Sequence, residues 1–311
     1  MSEVIELVHP KWEPEKMIYP ATVSLKLDGV PVRLSRNKLP RTRQNKDVYS
    51  IAHIQNFYME HFAYCPDFEP VGEIWVPGMA FKDISGRVRD TKEQFTSAKL
   101  YVFDAVHLEH TDATYERRME AMSLVLDDIS SKLGKHRTDL PIILLRGVVC
   151  NNAAEAEEAH ESFMQAVPEA EGTVLASLHR RFVAGRRSPY CSQKGVPEPT
   201  IDLEIIGFQE ATDAAGEPLG RVGRLVARLV RLGPDGRRKS QQIGIGPGKL
   251  THAEAKELWA DYVSRKWYAD RDRKIAKVKY KPDDTYAALR QPTFQSWHDH
   301  KSEPDTVGDL C

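Results

Sequence analysis

The run Lys26-Leu27-Asp28-Gly29, near the start of the 311-residue chain, carries the clearest chemical potential in the sequence. Val23, Leu25 and Leu27 alternate with Thr22, Ser24 and Lys26, the period of a strand with one buried face. Asp28-Gly29 then signals a turn, so Lys26 falls at the end of that strand, on the side away from the apolar residues. A lysine held there beside an aspartate becomes a nucleophile once its ammonium gives up a proton. Taken alone, the same run describes a solvated hairpin tip, so the rest of the chain must decide. A second candidate is basic. Arg221, Arg224, Arg228, Arg231, Arg237, Arg238 and Lys239 crowd one stretch in which Asp235 is the single acid. Such a stripe suits phosphate contacts, and a solvated sheet face would share its composition.

These groups need a scaffold. The length fits two domains, each able to bury a core. With 29% charged and 41% hydrophobic residues, the composition is that of an ordinary globular protein. No apolar run is long enough to span a membrane, and the N-terminus lacks the basic and apolar regions of a secretory signal. Cys65, Cys150, Cys191 and Cys311 are scattered, which argues against a zinc site or a disulfide framework and fits a reducing cytoplasm. The net charge of −1 hides an asymmetry. Residues 201–311 hold 19 basic and 17 acidic side chains, net +2, leaving 25 and 28, net −3, for residues 1–200. This balance argues against indiscriminate coating of nucleic acid.

Met119, Met122, Leu126, Ile129 and Leu133 are spaced by three and four, which predicts a core-facing helix ended by Gly134. A second helix is predicted from Ala153 to about Gln165, capped by Asn151 or Asn152. Gly172–Ala176 reads as a strand, and the Arg-, Pro- and Gly-rich segment from Arg180 to Pro199 reads as an interdomain hinge. Beyond it, Ile201–Phe208, Val222–Leu232 and Lys274–Tyr280 read as strands. Thr251 and Glu254 form a capping box that opens a helix. Several strands and one helix suit a small barrel of the OB type, with a loose polar tail from about Ser302.

Six segments follow one another in order: Lys26-Leu-Asp-Gly29, Thr42-Arg-Gln-Asn-Lys46, Val71-Gly-Glu-Ile74, Leu100-Tyr-Val-Phe-Asp104, Glu171-Gly-Thr-Val174, and Leu289-Arg-Gln-Pro-Thr-Phe294 running on to Lys301. Each is short, but their shared order and spacing resemble the covalent nucleotidyltransferases, specifically the small ATP-dependent DNA ligases of bacteriophages. The resemblance runs from about residue 20 to 301. It implies an α+β chain: an adenylation domain of antiparallel sheets with flanking helices over residues 1–200, then an OB-fold barrel over 201–311. It implies ATP and Mg2+ as cofactors and nicked double-stranded DNA as partner. A monomer without membrane attachment is expected, in the cytoplasm of a bacterial host. No additional N-terminal DNA-binding domain is expected before Lys26.

The resemblance assigns three in-line displacements at phosphorus, in which positioning and charge stabilisation carry most of the catalysis. Lysine takes AMP from ATP, AMP passes to the 5′-phosphate at a nick, and the 3′-hydroxyl displaces it. Lys26 is then the nucleophile, Asp28 steadies its loop, and Gly29 permits close backbone approach. Ser24, Arg33, Arg43, Glu73, Phe103 and Lys194 would line the ATP site, with Phe103 stacked on the purine. Glu73 and Glu171 would hold Mg2+ together with phosphate oxygens. Lys194 and Lys301 are expected to be catalytic cations. Arg43, Arg186, Arg187, Arg224, Arg228 and Arg290 are expected to meet DNA, chiefly through its phosphates.

Several positions depart from the family pattern. Pro31 stands where an arginine is usual, with Arg33 on the same strand face as its nearest substitute. Ala176 and Ser177 stand where a basic residue often follows the Glu171 motif. Ser192 replaces the first lysine of a Lys-x-Lys pair, and serine cannot neutralise a phosphate; Arg186 or Arg187 could compensate. His298 replaces an arginine, which predicts that self-adenylation weakens above neutral pH. Two alternatives stay open at this level: an RNA ligase or capping-type nucleotidyltransferase, and a catalytically weak nick-binding protein.

Overall fold

The computed structural model describes residues 7–36, 38–65, 68–167, 170–183, 185–186, 188–232, 237–268, 274–281, 289–298, 301 and 303–307. The chain splits into two compact units, Met1–Val196 and Pro197–Cys311. Among the described residues no helix is long and apolar enough to cross a membrane.

The first unit begins with β1 (Leu7–Val8), β2 (Ala21–Lys26), β3 (Val30–Arg33) and β4 (Arg41–Thr42). It continues with α1 (Ala52–His61), β5 (Phe68–Trp75), α2 (Phe81–Val88), β6 (Lys99–His107) and α3 (Tyr115–Leu133). Then come β7 (Ile142–Leu144), β8 (Val148–Cys150), α4 (Ala153–Ala166), β9 (Gly172–Ser177), β10 (Gly185–Arg186) and β11 (Ser192–Gly195). Two sheets result, one ordered β11-β9-β2-β8 and the other β4-β3-β5-β6-β7. All pairs are antiparallel except β6 with β7. A separate parallel pair joins β1 to β10.

Strand β2 departs from the alternation of its sequence. Thr22 and Ser24 are buried along with Ala21 and Val23. One face packs on Ala156 and Ala159 of α4. On the neighbouring strand β9, Val174 and Ala176 pack against Tyr115 and Met119 of α3, so the polar side of this sheet is covered too. The α3 stripe holds in its middle, where Met122, Leu126 and Ile129 are almost fully buried, while Leu133 at its end is exposed; Gly134 ends the helix in the left-handed conformation at φ 60°. Asn152 caps α4 by accepting from the Glu155 backbone N–H.

The expected hinge over Arg180–Pro199 is not a linker for most of its length. It contains β10 and β11, and Arg180 is buried. The two units divide near its end, between Val196 and Pro197.

The second unit holds β12 (Thr200–Thr212), β13 (Pro218–Leu232), β14 (Arg238–Ile245), α5 (His252–Val263), β15 (Ile275–Lys281), β16 (Arg290–Trp297) and β17 (Thr306–Val307). Five of the strands run β14-β13-β12-β15-β16, and β17 adds a parallel pairing to β13. Alternate residues of β12 and β13, including Leu203, Ile205, Leu225, Ala227 and Leu229, form its core. The Thr251–Glu254 capping box opens α5. The expected loose tail is docked as far as Val307, because Asp305 exchanges backbone and side-chain bonds with Asp202 and Val307 is buried.

Candidate active site

Lys26 closes β2 in the four-stranded sheet, and four residues later Val30 opens β3 in the five-stranded one. Asp28-Gly29 is therefore a crossing between sheets and not a hairpin tip. Gly29 is obligatory there, since a Cβ would collide with the Ile74 carbonyl and with Glu73. Beyond the crossing, Val30 pairs with Ile74 and Pro31 with Glu73. On the other side, Lys26 pairs with Gly172, the residue after Glu171. Gly172 adopts φ +157°, and a Cβ on it would strike the Gly195 carbonyl. Backbone register thus gathers Lys26, Asp28, Glu73 and Glu171.

The Lys26 Nζ donates to Glu171 Oε2 in an ion pair, with 26% and 11% of the two side chains exposed. Glu73 is half-buried on β5, and its carboxyl pKa is pushed up to about 8. Burial is the main cause, and the charges of Glu171 and Asp28 push in the same direction. Lys26 and a hydrogen bond from the Gly29 backbone N–H oppose the rise without cancelling it. Glu73 thus feels Lys26 on one side and the Glu171 and Asp28 carboxyl groups on the other, and a further cation there would favour its ionised form. Among the described residues no group of three or more His, Cys, Asp or Glu side chains is arranged to hold a metal. Glu73 and Glu171, close enough to influence each other's charge, are the two carboxyl groups that would hold an Mg2+ whose remaining ligands were water and phosphate oxygens.

Ser24 and Lys194 lie in one cross-strand row, joined through Val174, on the same sheet face as Lys26. Ser192 lies one row further along that face, opposite Ala176. Arg33 donates through Nε to Glu69 at 2.6 Å, and Glu69 is itself buried. The residue proposed to stand in for the missing arginine is thus anchored to a carboxylate that the sequence did not single out. Arg43 is exposed in the loop after β4, the edge strand. A bulge between Val71 and Gly72 leaves Phe103 half-buried without a partner on β5, and Tyr101 lies directly opposite Glu73. Next to Phe103, Asp104 is fully buried and bridges Arg118 and Arg180 at 3.0 and 2.8 Å. That triad ties β6, α3 and the turn after β9 together, and nothing in the sequence pattern pointed to it.

The remaining expected residues belong to the second unit or to its approach. Arg186 lies in β10; its side chain, and Arg187 altogether, fall outside the described residues. Arg224 and Arg228 are exposed on β13, with Arg228 Nη1 3.4 Å from Glu204. Arg290 is different: it is buried, at 8% exposure. His298 Nε2 and Lys301 Nζ lie 2.8 and 2.6 Å from the two oxygens of Asp202, and Lys301 also pairs with Asp305. Burial pushes the Asp202 carboxyl up, but Lys301 and His298 outweigh it and hold the pKa below the usual value. Hydrogen bonds to Asp202 and Asp305 raise Lys301 in turn. Asp202 and Glu204 share one face of β12, so His298, Lys301 and the exposed arginines occupy the same side of the second sheet.

Neither a protein-family model nor a curated protein sequence matches the chain. Solved structures do. A Lig E DNA ligase superposes with a TM-score of 0.66 at 15% identity, over 96% of this chain and 100% of that one. The ATP-dependent DNA ligase of bacteriophage T7, in complex with ATP, gives 0.51 at 15% identity over 95% and 99%. Chlorella virus DNA ligase-adenylate gives 0.51 at 19% over 96% and 99%. At these identities the likeness is one of fold. This chain has the α+β architecture of those small ligases, a unit of antiparallel sheets with flanking helices followed by an OB-type unit.

Proposed function

We propose that this protein is an ATP-dependent DNA ligase that seals nicks in duplex DNA. One observation carries the reading: a lysine paired with Glu171 faces Glu73 across a sheet crossing, in the fold that small DNA ligases share. In the first step the Lys26 amine, after losing a proton, attacks the α-phosphorus of ATP, and pyrophosphate leaves. Glu171 accepts a hydrogen bond from Lys26 and aims the amine in line. Lys194 supplies positive charge from the same sheet face as the phosphate gains negative charge. Mg2+ held by Glu73 and Glu171 would neutralise phosphate charge. The AMP then moves to the 5′-phosphate of the nick, and the 3′-hydroxyl displaces it to form the phosphodiester. His298 and Lys301 are groups that a phosphate would have to draw away from Asp202.

The direct test is intact-protein mass after incubation with ATP and Mg2+, followed by a chase with nicked DNA. Wild-type protein, first stripped of any AMP with pyrophosphate, should gain one AMP, and Lys26→Ala should gain none. The chase should release the AMP as strands are joined. A wild-type protein that gains no AMP would sink the ligase reading and leave a nick-binding protein. Joining of nicked RNA in preference to nicked DNA would move the assignment to an RNA ligase.

A further inference from the structure

Two donors in the second unit already grip an oxyanion, and that oxyanion belongs to the chain itself. His298 Nε2 lies 2.8 Å from Asp202 Oδ1, and Lys301 Nζ donates to Oδ2 at 2.6 Å. An ionised carboxylate only accepts hydrogen bonds, so the imidazole is the donor in that contact. Two donors on two oxygens of one anion is also the arrangement that binds a phosphate group. Asp305 adds a second carboxylate, which accepts from Lys301 at 2.7 Å. Backbone pairing sets its position. The Asp305 N–H donates to the Asp202 carbonyl at 2.7 Å, and Asp305 Oδ2 accepts from the Asp202 N–H at 2.9 Å. Thr306 and Val307 then pair in parallel with Val230 and Arg231 of β13, and Val307 is buried. The segment that carries Asp305 is thus fastened to the sheet and delivers an acid to Lys301. The donors remain reachable from solvent, with 35% of the Lys301 side chain and 26% of the His298 side chain exposed.

We propose that residues 303–307 form an autoinhibitory strap: Asp305, together with Asp202, occupies Lys301 and His298 in place of phosphate. The inference rests on the ligase reading above, in which these two groups meet phosphate. Two carboxylates balance one ammonium and one imidazole, so within this cluster no positive charge is left over. Apparent phosphate affinity is then the intrinsic affinity reduced by the fraction of molecules in which the acids have let go. Asp202, 14% exposed within β12, is the fixed half of the contact. Asp305, 44% exposed, is the half that can leave.

Inorganic pyrophosphate is the probe, titrated by calorimetry into full-length Lys26→Ala protein, which has no lysine–AMP bond for pyrophosphate to reverse. Adding Asp305→Asn keeps an oxygen to accept the Asp202 N–H but removes the charge. It should tighten pyrophosphate binding roughly two- to fivefold, the scale of one exposed ion pair. A further Lys301→Ala should abolish that gain. Asp305→Glu keeps the charge on a longer side chain and should leave the affinity at the level of the parent. Three results would each overturn the inference: no gain with Asp305→Asn, a gain that survives Lys301→Ala, or an equal gain with Asp305→Glu. The last would show that a loosened segment, and not charge, is responsible. AMP uptake on Lys26 of the wild-type chain tests the ligase reading separately. Uptake with no gain from Asp305→Asn would remove this inference alone, whereas absence of uptake would remove the ligase reading and this inference with it.

Discussion

At the scale of single residues, Glu73 is the most informative group. Its carboxyl titrates near 8 in the folded chain, against an ordinary value of 4.5. Between those limits the folded state holds a proton that the unfolded state has released, so stability falls as pH rises through the window. The loss should be on the order of 2 kcal/mol once solvent access to the carboxyl is allowed for. Urea titrations of metal-free protein from pH 5 to 8.5 should show this decline, and Glu73→Gln should flatten it. A profile that Glu73→Gln does not alter would mean that another group governs the slope. Gly29 offers a second check. Gly29→Ala places a methyl against the Ile74 carbonyl and should cost about 1–3 kcal/mol, read as a lower denaturation midpoint. It should also separate Lys26 from Glu73, so AMP uptake should fall by more than the stability loss alone would account for.

At the scale of elements, the parts legible in the sequence were those fixed by local chemistry. The α3 stripe with Gly134, the Asn152 cap and the Thr251–Glu254 box each follow from neighbours in sequence, and all three are present. Lys26, Glu73 and Glu171 could be singled out because each sits in a short segment that resembles a family motif. What stayed hidden depends on pairings distant in sequence. The second covered face of β2, His9 against Ser192, and Arg118 and Arg180 on Asp104 join segments that no periodicity connects. The burial of Arg290 stayed hidden for the same reason, since a charged residue in a strand pattern gives no sign that its strand buries it. The tail from Ser302 reads as loose by composition, yet Asp202 fastens it through Lys301 and Asp305. Asp202 holds its proton less tightly in the folded chain, so its contribution exists above the ordinary carboxylate range and disappears as pH falls through its depressed value. Asp202→Asn should therefore cost about 1–3 kcal/mol at pH 7 and much less at pH 3. Hydrogen exchange at residues 303–307 should quicken in that variant, and unchanged exchange there would show that other contacts hold the tail.

At the scale of the molecule, charge decides how a nearly neutral chain could bind a polyanion. With 44 basic and 45 acidic side chains, net charge supplies no general attraction to DNA, so binding must come from local surfaces. The second unit provides one in Arg224 and Arg228, exposed on β13. If these arginines meet backbone phosphates, each releases about one counterion, and log affinity for a nicked duplex should fall linearly with log salt. Arg224→Ala and Arg228→Ala should each weaken binding to all sequences alike and reduce the magnitude of the salt slope by about one. Arg290→Ala provides the contrast, because a buried arginine contributes to the fold and not to the open surface. It should lower the denaturation midpoint and leave the salt slope of the folded protein unchanged. Fluorescence anisotropy with nicked duplexes of two unrelated sequences, from 50 to 200 mM salt, separates these outcomes. Slopes unmoved by both surface substitutions would remove this face of the second sheet from the DNA-binding surface, and the contacts would then have to come from the first unit.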